Sequence, residues 1–449
     1  MRWASLFGDA ACAGSLTVVG VWRNWTGEQV CIPAEVVRPG STAEVVEAVS
    51  RARETGRLPV RVAGAGHSFT DAVLTEGTLL DLSRMSRVLD VDRAAGRVRV
   101  QAGITLHAMS EALLPHGLAF ENLGDIDVQS VAGAVATGTH GTGSGLRNLS
   151  ANVVGMQLVC ADGTVRELNS GDELRAARVS VGALGVVTEL TLQCQPAYVL
   201  RGHDAPHPLD EVLASLDALA DGARHFELYV FPHSDLALTR TNEIVDAPPS
   251  PPGRVDRFVN DILVPNVGLR AACEVGRRVP RAIPAIDRLM ARAFSERVRV
   301  DRSHRIFASP RYVRFTEMEQ AFPRSAAATV VPQIKAVLER YPVVFPIEVR
   351  FVAGDDALIS PAAGRDSVYV AVHNFRGMPW EAPFRAVQEI GDAWSARPHW
   401  GKRHFHTAAT LAPRYEAWET FAEVRRRFDP TGTFANAYVR RVLGGELPR

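Results

Sequence analysis

A chain of 449 residues, 46% hydrophobic and 22% charged, can bury a sizeable core and divide into two or three domains. Its 50 basic and 50 acidic residues cancel, which argues against a nucleic-acid or anionic-membrane footprint. The cysteines (Cys12, Cys31, Cys160, Cys194 and Cys273) are scattered without a CxxC pair, a pattern of a reduced cytoplasmic protein in which no metal site is expected.

The apolar stretch Ala10 to Val21 has Asp9 at its edge and only Arg2 upstream, so it reads poorly as a signal peptide, and no apolar run is long enough to span a membrane. Ser41-Thr42-Ala43-Glu44 is a capping box that opens a helix with Val45, Val46, Ala48, Val49 and Ala52 on its apolar stripe, ending at Gly56. Pro59 to Ala63 reads as a strand running into Gly64-Ala65-Gly66-His67-Ser68. Short strands follow at Val88–Val91 and Val98–Ala102, then a helix capped by Thr105 and closed at Gly117. Val153–Cys160 and Thr164–Leu168 form a hairpin about Asp162-Gly163, and Val186–Cys194 is a further strand. Beyond residue 200 come a proline-rich loop at Ala247–Gly253, an arginine-rich helical stretch to about Arg297, strands at Val343–Val352 and Ser367–His373, and helices at Pro383–Ser395 and Tyr415–Arg427. The expected division is an N-terminal extension (1–29), an alternating α/β unit (30–200), a second domain (201–400) and a C-terminal segment (401–449).

Three stretches carry chemistry. Gly64-Ala65-Gly66-His67 follows a strand, where glycines let a phosphate approach the backbone; alone, this motif fits a tight structural turn equally well, and it lacks the third glycine of the dinucleotide fingerprint. Residues 130–145, SVAGAVATGTHGTGSG, hold five glycines among hydroxyl side chains and offer amides and hydroxyls to a polyphosphate-bearing ligand. Val131, Ala134, Val135 and Ala136 make the run too apolar for a solvated linker. In the second domain, Glu348 and Arg350 stand two apart on a strand and leave the same face. Their apolar neighbours place them where unpaired charge is costly, so a structural ion pair and a substrate pocket are both open. Two lysines, Lys335 and Lys402, stand among the 50 basic residues. Lys335 falls on an amphipathic helix and reads as solvated surface; Lys402 follows His399-Trp400-Gly401, and an arginine there would differ in shape and titration.

Together, GAGHSF, SVAG…ATGTHGTG, VGALGVVTELTL, PRYVRFTEME, EVRF, HWGK and NAYVRRVLG resemble the vanillyl-alcohol-oxidase type of FAD-binding family, sugar-1,4-lactone oxidase branch, over nearly the whole chain. The resemblance implies an α+β fold: a two-subdomain PCMH-type FAD-binding unit, an α+β substrate (cap) domain with a mixed or antiparallel sheet, and a C-terminal segment returning to the flavin. It implies FAD bonded covalently through its 8α carbon to His67. Cofactor contacts are expected from Gly64, Ala65, Gly66, Ser68, Gly124, Ser130, Gly133, Thr137, Gly138, Thr139, His140, Gly182, Val187, Asn436 and Tyr438. The substrate would meet Glu348, Arg350, Lys402, His373 and Asp125. The family often carries serine where Asp125 stands, and a carboxylate there alters hydrogen bonding to flavin or substrate. Gly124 is compatible with oxygen reaching the flavin edge.

The implied activity is oxidation of a hydroxyl of an aldono-1,4-lactone or related sugar, with oxygen or another acceptor reoxidising the flavin. The alternative is an alditol oxidase or a sugar-tailoring oxidase of secondary metabolism. Partners would be a sugar lactone or polyol, with no nucleic acid and no membrane span, in a cytoplasmic monomer or homodimer.

Overall fold

The computed structural model describes residues 15–16 and 20–445; most of the apolar Ala10–Val21 stretch, and Cys12, lie outside the described residues. Two sheets build the first half. Glu35–Val37, Thr78–Asp81 and Val60–Ala63 form a parallel sheet with Thr78–Asp81 at its centre. The helix Thr42–Glu54 packs against Val153–Val159 and Val186–Gln193 of the second sheet; it is capped by Ser41, whose hydroxyl accepts from the Glu44 N–H, and it buries Val45, Ala48, Val49 and Ala52. The second sheet is antiparallel, in the order Val165–Leu168, Val153–Val159, Val186–Gln193, Arg97–Gln101, Val88–Asp92. Both sheets share one core with the end of the chain: Trp400, Phe421, Phe428 and Tyr438 belong to the same buried cluster as Val45, Val98 and Leu190.

The second half is organised by an eight-stranded antiparallel sheet, in the order Arg297–Arg302, Val199–Pro208, Leu236–Val245, His225–Val230, Ile347–Val352, Ser367–Phe375, Phe315–Pro323, Arg397–Pro398. Strand periodicity sorts its side chains onto two unlike faces. One face is apolar: Leu228, Val349, Val370 and Met318 pack against helix residues such as Leu216, Val330 and Phe384. The alternate positions are charged, and the register sets them side by side, Glu227 opposite Arg350, Tyr229 opposite Glu348 and Glu317 opposite His373. A one-residue slip would drive this whole charged set into the apolar layer, so the register is strongly specified. Helices Leu269–Arg278 and Ile283–Arg292 stand over the charged face.

One expectation gains detail and two need revision. The 130–145 run, given no secondary structure from the sequence, holds a short helix, Val131–Thr137, in which Val131, Ala134 and Val135 pack into the core as their apolar character implied and Gly138 ends the helix at φ 77°. The strand expected from Val343 begins at Ile347. Lys335 is half-buried, with its ammonium 2.7 Å from the Glu339 carboxylate one turn on.

Candidate active site

Two cavities adjoin, the first within the first half of the chain and the second where that half meets the eight-stranded sheet, and His67 and Gln129 line both. The first, about 360 Å³, is walled by the turn after the Val60–Ala63 strand (Gly64, Ala65, Gly66, His67 and Ser68). Ser130, Gly133 and Thr137 from the short helix complete it, with Gly182 and Val187 opposite. Gly64 has a steric cause: a Cβ there would lie 2.6 Å from the Ser130 hydroxyl, so only glycine lets the turn close on the helix. Val181 is a β-branched residue held at φ 47°, a strained conformation beside the cavity. The buried Arg61 clamps it, donating to the carbonyls of Val181 at 2.7 Å and Gly182 at 3.1 Å, and also to Ala72 and Phe434 at 2.8 Å each.

This narrow, glycine-walled slot fits the extended, phosphate-bearing half of FAD, and its continuation past His67 leaves room for the ring. His67 itself lies against Trp25, ring centroids 5.1 Å apart and planes 23° from parallel.

The second cavity, about 750 Å³, has the charged sheet face as its floor. Asp125, Glu348, Arg350, His373 and Lys402 all line it, as do Gly124, Thr139 and His140. Its charges fall into two groups. In one, Arg350 contacts Asp125 and Glu348 through Nη2 and donates from Nε to Glu227 at 2.9 Å. Arg311 adds a 2.7 Å bond to Asp125, and Arg240 a 3.1 Å bond to Glu227. Burial opposes ionisation of Asp125, but Arg350 and Arg311 outweigh it and hold its pKa well below the ordinary carboxylate range. Glu348 goes the other way: burial, only partly offset by Arg350, pushes it up to about 7.

In the other group, Lys402 contacts Glu317 and lies 3.6 Å from Glu319. Burial disfavours the ammonium, but Glu317 and Glu319 prevail and raise its pKa. His140 Nε2 is 3.2 Å from Glu319, and His373 Nε2 is 3.5 Å from Glu317. His140 Nδ1 lies 2.8 Å from the Gly141 carbonyl, to which it can only donate, and the Gly401 N–H donates to His399 Nδ1 at 3.1 Å. Neutral His399 therefore carries its proton on Nε2, and burial pushes its pKa down to about 3. His140, Glu319 and His399 converge closely enough to ligate a cation. His399 has no nitrogen free to ligate one, since Nδ1 accepts from Gly401 and Nε2 carries the proton. The lysine loop is tied to the cofactor turn, since the Phe69 N–H donates to the Gly401 carbonyl at 2.7 Å and Tyr438 Oη to that of Trp400 at 2.8 Å.

Some expected contacts serve elsewhere. Gly138, Asn436 and Tyr438 line neither cavity. Asn436 caps the helix Ala437–Leu443, and its side-chain amide binds the carbonyls of Asp71, Ala72 and Leu74. At Gly124 a Cβ would come within 2.9 Å of the His140 carbonyl, so its bare backbone has a packing cause independent of oxygen access. Sequence reasoning missed Arg61, Glu227, Tyr229, Arg240 and His399 as site residues, and quoted Arg311, Glu317 and Glu319 without a role. Glu317 and Glu319 stand two apart, the same spacing that singled out Glu348 and Arg350, and that signal would have found them.

A glycine-walled slot suited to a dinucleotide thus opens on a charged chamber between two α+β halves. A family model described as D-arabinono-1,4-lactone oxidase matches residues 190–442, and one described as an FAD binding domain matches residues 33–169. The chain is 47% identical to L-gulono-1,4-lactone dehydrogenase of Mycobacterium tuberculosis, over 94% of this chain and 99% of that one. It is 33% identical to L-gulonolactone oxidase of Mus musculus (94% and 98%) and 32% identical to alditol oxidase of a Streptomyces species (94% and 99%). A solvent-stable cholesterol oxidase shares the fold at TM-score 0.81 and 18% identity, covering 96% of this chain and 98% of that one. The chain belongs to the D-arabinono-1,4-lactone oxidase family of FAD-dependent enzymes. No helix among the described residues is long and apolar enough to cross a membrane.

Proposed function

We propose that the protein oxidises a hydroxyl of an aldono-1,4-lactone or a closely related sugar, with Lys402 and Glu348 as its working groups. The observation that carries this reading is the chamber floor: an ammonium held between two buried glutamates, beside a carboxyl with a pKa near neutrality, next to the cofactor turn. FAD, when bound, accepts the hydride lost from the carbinol carbon. Lys402 donates a hydrogen bond to the reacting oxygen and stabilises negative charge as it develops there. Glu348 takes the hydroxyl proton, for which a pKa of about 7 suits it. Arg350, already engaged by Asp125, Glu227 and Glu348, fixes that carboxylate in place. His373 and His140 brace Glu317 and Glu319, and so hold the lysine.

His67 is assigned as the covalent anchor of the flavin. Its place at the junction of the two cavities supports this, as does the stacked Trp25 that restricts its ring. The test is acid precipitation: yellow colour and fluorescence should stay with the wild-type chain and leave the His67→Ala chain. Release of flavin from the wild type would remove the assignment. Flavin reduction by a panel of aldonolactones and alditols tests the substrate reading, which requires the lactones to react with the higher kcat/KM.

A further inference from the structure

The substrate chamber has two chemically opposite ends, and the proposed lactone accounts for one of them. The charged floor and the cofactor turn occupy the inner end. The outer end is apolar: Phe231 and Phe294 stack with centroids 5.7 Å apart, and Met290 and Ile306 continue the wall, while Leu269 and Ile286 carry the apolar lining inward to the cluster of Trp25 and Phe69. The rim stays apolar where it meets solvent, with Val275 48% and Leu289 70% exposed while still lining the chamber. Large exposed aliphatic side chains at a cavity mouth mark a surface that an apolar ligand covers.

Size points the same way. Cavities of about 300–1,000 Å³ enclose drug-sized ligands, and a sugar lactone of roughly a dozen non-hydrogen atoms is far smaller. A polyhydroxylated ring has hydroxyls to satisfy; Arg297 and Arg299 line the chamber at the sheet edge but are engaged by Asp256 and Asp204, and the two helices above offer apolar side chains alone. His67 and Gln129, where the two cavities meet, mark the inner end as the place a ring entering from the slot would take, with the outer chamber beyond it.

Resting on the sugar-lactone reading above, the geometry points to a substrate that carries an apolar substituent: a lactone or sugar with an acyl, alkyl or aryl group on the hydroxyl remote from the reacting carbon. The polar ring lies on the floor with its reacting hydroxyl at Lys402 and Glu348, and the substituent runs between helices Leu269–Arg278 and Ile283–Arg292 to the rim.

The test compares anaerobic flavin reduction of the FAD-loaded enzyme by L-gulono-1,4-lactone and by its 6-O-octanoyl ester. Each buried methylene favours binding roughly fourfold, so the ester should exceed the parent in kcat/KM by more than tenfold even if only part of the chain is enclosed. Leu289→Asp and Val275→Asp place a charge on opposite sides of the rim at exposed positions, where folding tolerates it. Each should lower the ester-to-parent ratio at least fivefold. Equal kcat/KM for the two compounds, or a ratio indifferent to both substitutions, overturns the inference and leaves the lactone reading standing. Equal values combined with slowed reoxidation by a short-chain quinone in the two variants also overturn it and give the chamber to the electron acceptor. Failure of both compounds to reduce the bound flavin overturns the lactone reading and this inference with it.

Discussion

The charges about Arg350 and those about Lys402 share one face of one sheet, yet they are built for different work. Around Arg350, three carboxylates (Asp125, Glu227 and Glu348) meet three guanidiniums, those of Arg240, Arg311 and Arg350. Arginine stays charged at any working pH and presents its donors in a rigid fork, so this group holds its shape. Asp125 lies on a loop of the cofactor half and Arg350 on the cap sheet, so their contact also fixes one half against the other. Around Lys402, two glutamates held ionised meet one ammonium held charged, with His140 beside Glu319 and His373 beside Glu317. The contrast sets a rigid scaffold of forked cations beside a single ammonium held charged next to the cofactor turn.

The largest effect should come from breaking the scaffold. Arg350→Met leaves three carboxylates facing one another without their central cation, and loss of one partner from a buried ion pair costs about 3–5 kcal/mol. The unfolding midpoint in denaturant should fall accordingly, with flavin content falling beside it. Arg350→Lys keeps the charge but loses the fork, and should lie between the two. A midpoint unchanged by Arg350→Met would show that the cluster is no scaffold.

Lys402→Met should act on rate more than on stability. Removing a donor to a developing oxyanion slows the chemical step about 10²–10³-fold, which single-turnover flavin reduction would read. The glutamates left behind, buried without their cation, can take up protons, so the midpoint should drop less than in Arg350→Met. A larger stability loss in Lys402→Met than in Arg350→Met, or an unchanged reduction rate, would erase the distinction between the two groups.

How far each region could be read from the sequence follows the same division. The cofactor slot is built from contiguous stretches, Gly64–Ser68 and Ser130–Thr137, whose glycines have local steric causes, so it was legible. Strand spacing singled out Glu348 and Arg350, and the scarcity of lysine singled out Lys402, but only the family resemblance pointed them at a pocket. Glu227 and Arg240 were not legible, because each acquires its meaning across the sheet: Glu227 sits opposite Arg350 only through a strand pairing separated by more than a hundred residues. The helix at Val131–Thr137 was hidden by its glycines, although the apolar Val131, Ala134 and Val135 already argued against a solvated linker. Asn436 and Tyr438 were assigned to the flavin by resemblance, while their side chains anchor the C-terminal helix and the lysine loop.

The smallest effect lies on the boundary between the two groups, at Glu348, a member of the arginine scaffold whose own proton is labile. If its carboxylate accepts the hydroxyl proton, kcat/KM should rise with pH and level off above about 7, so that at pH 6 the rate is about tenfold below its plateau. Glu348→Gln preserves the shape and removes the acid, and should flatten that rise while lowering the plateau. Stability should move in the opposite direction to rate. The folded chain holds this proton up to about pH 7, whereas the unfolded chain releases it near the ordinary 4.5. Between those values the native state therefore binds more protons than the unfolded state, and by linkage the contribution of Glu348 to stability declines as pH rises. Glu348→Gln should remove that decline, which makes the variant relatively more stable at pH 8 than at pH 5 when each is compared with the wild type. A rate profile that keeps its rise in Glu348→Gln would transfer the proton to another group, with Glu319 of the Lys402 cluster the next to substitute.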